Sequence, residues 1–330
     1  MNRLPIIRPW NRNDSSKRYD AFIAVVGYES RARYIAETIN PIANEKIACA
    51  FSDRKVHHYQ ENHDWFLESG YKVEEITDKE FRNWWKIKLE GIRSSKLTWQ
   101  SICVDVSSLN RFRIAVLIDT LRRLNWEATI QVDFVYSLAE FSPPPQETAP
   151  NTHVGPVLDS FAGWTSEPDR PPVAIVGLGY EQEKALGAVE HIQAAEVWVF
   201  MPASPIASYT GALERANRTL LESIPTGRRL TYFVDRPLDS FAMLESLTHR
   251  IVQSNSPVLF PFGPKIFTVY SLLVACLYPS AAVWRVSAGQ GGEAIDRVPS
   301  GHIYGLEVEF IPEIKRVKGE FSEKAALTYF

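Results

Sequence analysis

The tripeptide Gly-Tyr-Glu occurs twice in this chain, as Gly27-Tyr28-Glu29 and as Gly179-Tyr180-Glu181, an offset of 152. Each copy follows a β-rich run without polar alternation, residues 21–26 and 173–176. Continuous rather than alternating apolar runs are the pattern of strands covered on both faces, as in parallel sheets. Three further anchors recur in the same order. Phe51 and Phe200 close or belong to the second strand of each cycle, at an offset of 149. Arg111 and Lys265, each a base at a helix start, are 154 apart, and Tyr136 and Arg285, in the fifth strands, are 149 apart. Four matches in one order, each at the same stage of a β/α cycle, point to internal duplication.

The expected fold class is therefore α/β: two tandem Rossmann-like units with mainly parallel sheets, related by a pseudo-twofold duplication. Residues 1–18 read as an N-terminal arm or covering segment, 19–141 as the first unit, 142–172 as a connector, and 173–330 as the second unit with a C-terminal extension. In the first unit strands are expected at 21–26, 46–51, 73–76, 101–106 and 130–136, with helices at 31–39, 81–96 and 111–124. The connector opens on Ser142-Pro143-Pro144-Pro145 and shows at most a short turn near 157–161. In the second unit strands are expected at 196–200, 230–234, 258–260, 281–286 and 304–311 after the opening one, and helices up to His191, at 243–253 and at 266–277.

Composition narrows the class. The chain has 330 residues, 45% hydrophobic and 23% charged, with a net charge of -3. These are the values of a globular protein that can bury a core without staples, and direct DNA or RNA coating is not expected. The three cysteines, Cys49, Cys103 and Cys276, stand apart in apolar runs and read as buried reduced thiols. No zinc pattern, targeting signal or membrane-length apolar run is evident, so a cytoplasmic location, no membrane partner, no metal and no dedicated cofactor are expected.

The first turn, Val26-Gly27-Tyr28-Glu29-Ser30-Arg31, has glycine at a strand-to-helix junction. Free N–H groups and the positive end of a helix dipole make such a junction a place for an anion, and Arg31 adds charge. The alternative is a plain turn capped by Glu29. Neither copy completes the dinucleotide glycine pattern, and no Walker motif is present. Asp53, about 25 residues past the first glycine, stands where Rossmann folds place a ribose-binding carboxylate.

The second constellation is Asp105-Val106-Ser107-Ser108-Leu109-Asn110-Arg111. Ser107, Ser108 or Asn110 can cap the helix that follows. Arginine at a helix start opposes the dipole, so either Asp105 or a bound anion should offset its cost. The counterpart in the second half is Phe262-Gly263-Pro264-Lys265, where glycine permits close approach and Lys265 supplies a point charge.

A strand, a small or polar turn, and then a base inside the next helix start resembles the ligand motif of the CRISPR-associated Rossmann fold (CARF) domains. Asp105, Ser107, Ser108, Asn110 and Arg111 fall on its positions in the first half, and Gly263, Pro264 and Lys265 in the second. The SAVED domains of antiphage systems are similarly two fused CARF-like units. Neither copy here carries the Gly-Gly-Thr-Lys string of that motif. The resemblance implies recognition of a cyclic oligonucleotide across the pseudo-twofold axis, and a regulatory role in bacterial defence.

His57, His58 and His63 lack the spacing of a zinc helix and suit a solvated loop or helix. Trp84 and Trp85 read as packing residues. Gly289-Gln290-Gly291-Gly292 reads as a flexible loop at the carboxyl edge that either touches ligand or is simply mobile, and Asp296-Arg297 is a charged pair suited to docking the tail on the body. The leading expectation is a sensor of a nucleotide or other phosphate-bearing molecule that acts through a partner protein, with Gly27, Tyr28, Glu29, Arg31, Asp53, Ser107, Ser108, Asn110, Arg111, Gly179, Tyr180, Glu181, Gly263 and Lys265 around the ligand. The rival is a nucleotide-processing hydrolase using Glu29, Asp105 and Arg111. A scaffold with vestigial pockets is the third reading.

Overall fold

The computed structural model describes residues 3–14, 16–92, 99–143, 151–164, 167–181, 183–287 and 294–312. The first unit contributes strands β2 (Arg18–Val26), β3 (Ile42–Phe51), β4 (Lys72–Ile76), β5 (Trp99–Asp105) and β6 (Thr129–Ala139). The second contributes β8 (Pro172–Gly177), β9 (Glu196–Ala203), β10 (Arg229–Phe233), β11 (Ser256–Pro261) and β12 (Ala282–Ser287). Their spatial orders are β4-β3-β2-β5-β6 and β10-β9-β8-β11-β12, the same doubly wound order twice, all parallel. The expected duplication is thus repeated in the topology, with one anchor displaced: Phe200 pairs with Gly177 where Cys49 pairs with Val25, so Cys49 and not Phe51 is its counterpart.

The pleat explains why these strands read as unbroken apolar runs. Along β2, Ala21, Ile23 and Val25 face a core shared by the two halves, while Phe22, Ala24 and Val26 face the opposite layer. Along β8, Val173 and Ile175 face the shared core, and Ala174 and Val176 face outward. Both faces are covered, so every position favours an apolar side chain.

The shared core lies between the sheets. It is filled by α3 (Asp78–Ile92) and α4 (Arg111–Arg123) of the first unit, and by α8 (Pro237–Ile251) and α9 (Lys265–Leu277) of the second. Helices α4 and α9 pack on each other at the centre. The outer face of the first sheet carries α1 (Tyr34–Thr38) and α2 (Tyr59–Glu68). That of the second carries α5 (Lys184–His191), α6 (Ser208–Ala216) and α7 (Arg218–Ser223). Trp84 and Trp85 of α3 are buried in the shared core, and the three cysteines are buried and unpaired.

Each unit lends a strand to the other. After β6 the chain crosses over, and β7 (His153–Pro156) pairs antiparallel with β12. After β12 it crosses back, and β13 (Pro299–Pro312) pairs antiparallel with β6. The connector therefore contains an element that the sequence did not announce. Residues 1–18 contain β1 (Arg3–Pro9), which pairs with β13 at the edge of the seven-stranded sheet. Its Pro5 and Pro9 are tolerable there because an edge strand has one unpaired side. Arg3 is buried and donates to the carbonyls of Leu124, Ala128 and Phe310, fixing this strand to the end of α4.

One expectation needs correction, and the structure fills in two stretches. The helix expected at 31–39 is a 3-10 turn, Ser30–Arg33, followed by the five-residue α1. Of the loop or helix offered for the histidine segment, the structure takes the helix α2, and α6 and α7 occupy a stretch without a predicted element. The end of the helix expected at 81–96, the Gly289–Gly292 loop and the charged tail from residue 313 lie wholly or partly outside the described residues.

Candidate functional site

The carboxyl ends of both parallel sheets open into one cleft of about 930 Å³. Open α/β sheets bind ligands there, at the point where strand order reverses. That point lies between β2 and β5 in one unit and between β8 and β11 in the other. Of the fourteen residues expected around a ligand, Gly27, Tyr28, Glu29, Arg31, Asp53, Ser108, Asn110 and Arg111 line the cleft from the first unit. Gly179, Tyr180, Glu181, Gly263 and Lys265 line it from the second. Ser107 does not. It is buried, and its hydroxyl accepts the Ser137 amide at 2.8 Å.

The two bases at the helix starts hold the halves together. Arg111 donates from Nε to the Pro261 carbonyl at 2.6 Å, and from its terminal nitrogen to the carbonyls of Phe262 at 2.6 Å and Gly263 at 3.3 Å. Lys265 donates from Nζ to the Ser107 carbonyl at 2.6 Å. The cost of a cation at a helix N-terminus is thus offset by carbonyl dipoles from the opposite half. Asp105 does not do this, as the sequence allowed. Its carboxylate accepts the Ser107 amide at 2.8 Å inside its own turn. Asn110 is the residue that caps α4, accepting the Arg113 amide.

Glu29 does not cap its turn either. Its carboxylate pairs with Arg31 Nε at 2.8 Å and lies 3.7 Å from Lys265 Nζ. Burial raises its pKa, and Arg31 and Lys265 more than offset this, holding it below the ordinary value. Arg31 also donates to the Ser137 carbonyl at 2.8 Å, so its guanidinium is spent on the protein. Burial lowers Lys265 to about 8, with Glu29 opposing and Arg31, Arg111 and Arg297 assisting. Burial raises Asp105 to about 6 against the pull of its Ser107 hydrogen bonds.

The anion position at the first turn is already filled. Asp296 accepts the Ser30 amide at 2.7 Å and the Ser30 hydroxyl at 2.6 Å. The neighbouring Arg31 amide donates to the Arg297 carbonyl, and His57 meets the Ala294 carbonyl at 2.7 Å. The charged pair Asp296-Arg297 does dock the tail on the body, and it does so across the cleft. Ile295 and Arg297 line the cleft, and the Arg297 guanidinium lies 5.4 Å over the Tyr180 ring. Sequence reasoning did not place Arg297 there. Its only signal was a charged pair in a turn-rich segment.

The glycines serve the frame as well as the cleft. A Cβ at Gly263 would stand 2.7 Å from the Leu178 carbonyl oxygen, and one at Gly179 would stand 2.9 Å from that of Phe262. The close approach expected at Gly263 is therefore taken up by the protein's own backbone.

The charge of the lining is distinctive. Arg31, Arg54, Lys79, Arg111, Lys184, Lys265, Arg285 and Arg297 face four carboxylates, Glu29, Asp53, Asp78 and Glu181. A chain of net charge -3 thus concentrates an excess of cations in this cleft. The hydrolase trio is not assembled around open space. Asp105 does not line the cleft, and the Arg111 guanidinium is engaged by carbonyls.

Fold and cleft together define an internally duplicated Rossmann-like α/β protein with one ligand-sized cavity shared by both units. No protein-family model and no curated protein matches the chain. Among solved structures, a Pseudomonas aeruginosa protein described as a universal stress protein is 10% identical, over 81% of this chain and 92% of its own, with a TM-score of 0.24. The cytoplasmic domain of a prokaryotic cation chloride cotransporter is 9% identical, over 84% of this chain and 98% of its own, with a TM-score of 0.23. Such likeness concerns fold alone and says nothing about the cleft.

Proposed function

We propose that the protein binds a nucleotide or a similar multiply phosphorylated small molecule in the cleft between its units, and reports occupancy to a partner protein. The observation that carries this reading is the lining: eight bases against four acids, around a cavity of about 930 Å³, in a chain whose net charge is negative. Low-dielectric walls of one sign focus the field and draw in counter-charged ligands. The volume suits a small molecule rather than a polymer groove. Tyr28 and Tyr180 line the cleft from opposite units and bring aromatic side chains to it. A cyclic oligonucleotide, with phosphates repeated around a ring, is one member of this class that would span both units. Because Glu29, Asp105 and Arg111 are not brought together around open space, binding is favoured over turnover.

The test is a thermal-shift screen of the whole chain against mononucleotides, linear dinucleotides and cyclic oligonucleotides, with mass spectrometry of each ligand afterwards. A rise in melting temperature with intact ligand, weakened by added salt, is expected. Conversion of the ligand would move the reading to the hydrolase, and the absence of any shift would overturn it.

A further inference from the structure

Four bases of the cleft are committed to the protein. Arg31 serves Glu29 and Ser137, Arg111 serves three carbonyls, and Lys265 serves Ser107. Arg297 donates to the Ser142 hydroxyl. Arg285 differs. It stands in β12 and lines the cleft, and its guanidinium lies 5.5 Å over the Phe112 ring at the start of α4. Its Nε–H is buried with no acceptor. The carboxylate whose charge acts on it, Asp78, is engaged by Arg113 Nε at 2.7 Å and by Asn110 Nδ2 at 3.0 Å. Lys79, the next residue after Asp78, lines the same cleft.

A buried donor without an acceptor is costly, and such groups are rare in folded proteins. The pseudo-symmetric position in the first unit holds Tyr136, a neutral residue whose hydroxyl accepts from Arg31 at 3.4 Å. The duplication therefore does not require a cation here. It has been placed in one half only.

We propose that Arg285 is the phosphate-receiving residue of the cleft, so that a ligand's phosphate docks at the β12–α4 side and the ligand binds the two units unequally. This rests on the reading of the cleft as a nucleotide site. Guanidinium offers a planar fork to phosphate, and the Phe112 ring holds its plane. Lys79 adds a second positive charge.

The experiment titrates inorganic tripolyphosphate, ATP and cyclic di-AMP into the whole chain by calorimetry, with melting temperatures for every variant. In the wild type at least one phosphate-bearing probe binds. Arg285→Gln is expected to weaken it at least tenfold, and Arg285→Lys to recover part of that loss. Arg285→Leu is expected to raise the melting temperature without ligand while losing the ligand-induced rise, an outcome that a structural role would reverse. Arg228→Gln, a charge loss outside the cleft, serves as the control. If the wild type binds a probe and Arg285→Gln binds it within twofold, the assignment of Arg285 fails while the nucleotide reading stands. If no probe binds, the assignment fails, and the wider nucleotide screen decides the reading of the cleft on its own.

Discussion

Arg111 and Lys265 clasp the two units reciprocally. Each is the first residue of a central helix, α4 or α9, and each donates to the strand end or loop that precedes the other. The residues are 154 apart, and so are the two principal acceptors, Ser107 and Pro261. One ancestral contact is thus used twice, once from each side of the pseudo-twofold axis. It locks the carboxyl ends of the two sheets against each other, and both residues line the cleft.

Removing the larger half of this clasp should destabilise the fold. Arg111→Ala leaves three carbonyls in the interface without their donor, and is expected to cost about 2–4 kcal/mol in urea unfolding. Arg111→Lys, which keeps the charge but not the fork, should fall between. An Arg111→Ala chain as stable as wild type would show that the clasp contributes nothing.

Asp105 gives the fold a pH dependence opposite to that of a paired carboxylate. Its folded pKa of about 6 lies above the ordinary value, because burial disfavours the charge. Between about pH 4 and pH 6 the folded state holds a proton that the unfolded state has lost, so this residue lowers stability as pH rises through that window. Asp105→Asn keeps an acceptor for the Ser107 amide and removes the charge. It should match wild type near pH 4 and exceed it by about 2–3 kcal/mol at pH 7. Parallel denaturation profiles for the two proteins over this range would contradict the assignment.

The strap across the cleft hangs on Asp296. Asp296→Ala removes both acceptors of Ser30 and is expected to cost about 1–2 kcal/mol, in the range of a lost helix cap. Hydrogen exchange should report it locally, with faster exchange at the Ser30 and Arg31 amides and little change in α4 or α9. Protection at Ser30 equal to wild type would count against the latch.

Gly177 closes β8 where α9 crosses it. A Cβ there would stand 2.3 Å from the Phe267 ring, which is itself fully buried. Gly177→Ala should therefore destabilise by about 1–3 kcal/mol through overpacking, and the double variant with Phe267→Leu should regain part of the loss. A neutral Gly177→Ala would mean that the central helices yield more easily than their packing indicates.

What the sequence determined by itself was the repeat and the identity of the buried strands. Gly-Tyr-Glu and the apolar runs are local signals, and a strand covered on both faces leaves an apolar record at every position. Thirteen of the fourteen residues the sequence named line the cleft, because strand ends and helix starts carry turn chemistry that can be read residue by residue. Other features left no local record. The short α2, α6 and α7 are polar on one side, and β1 contains two prolines, so its strand conformation depends on the partner that β13 supplies. Only the tertiary structure decided that β7 and β13 change places, that Asp296 fills the first turn, and that Arg111 and Lys265 spend their donors on the opposite unit. These are contacts between residues more than a hundred positions apart. The side-chain types announce that a charge must be satisfied, but not by what.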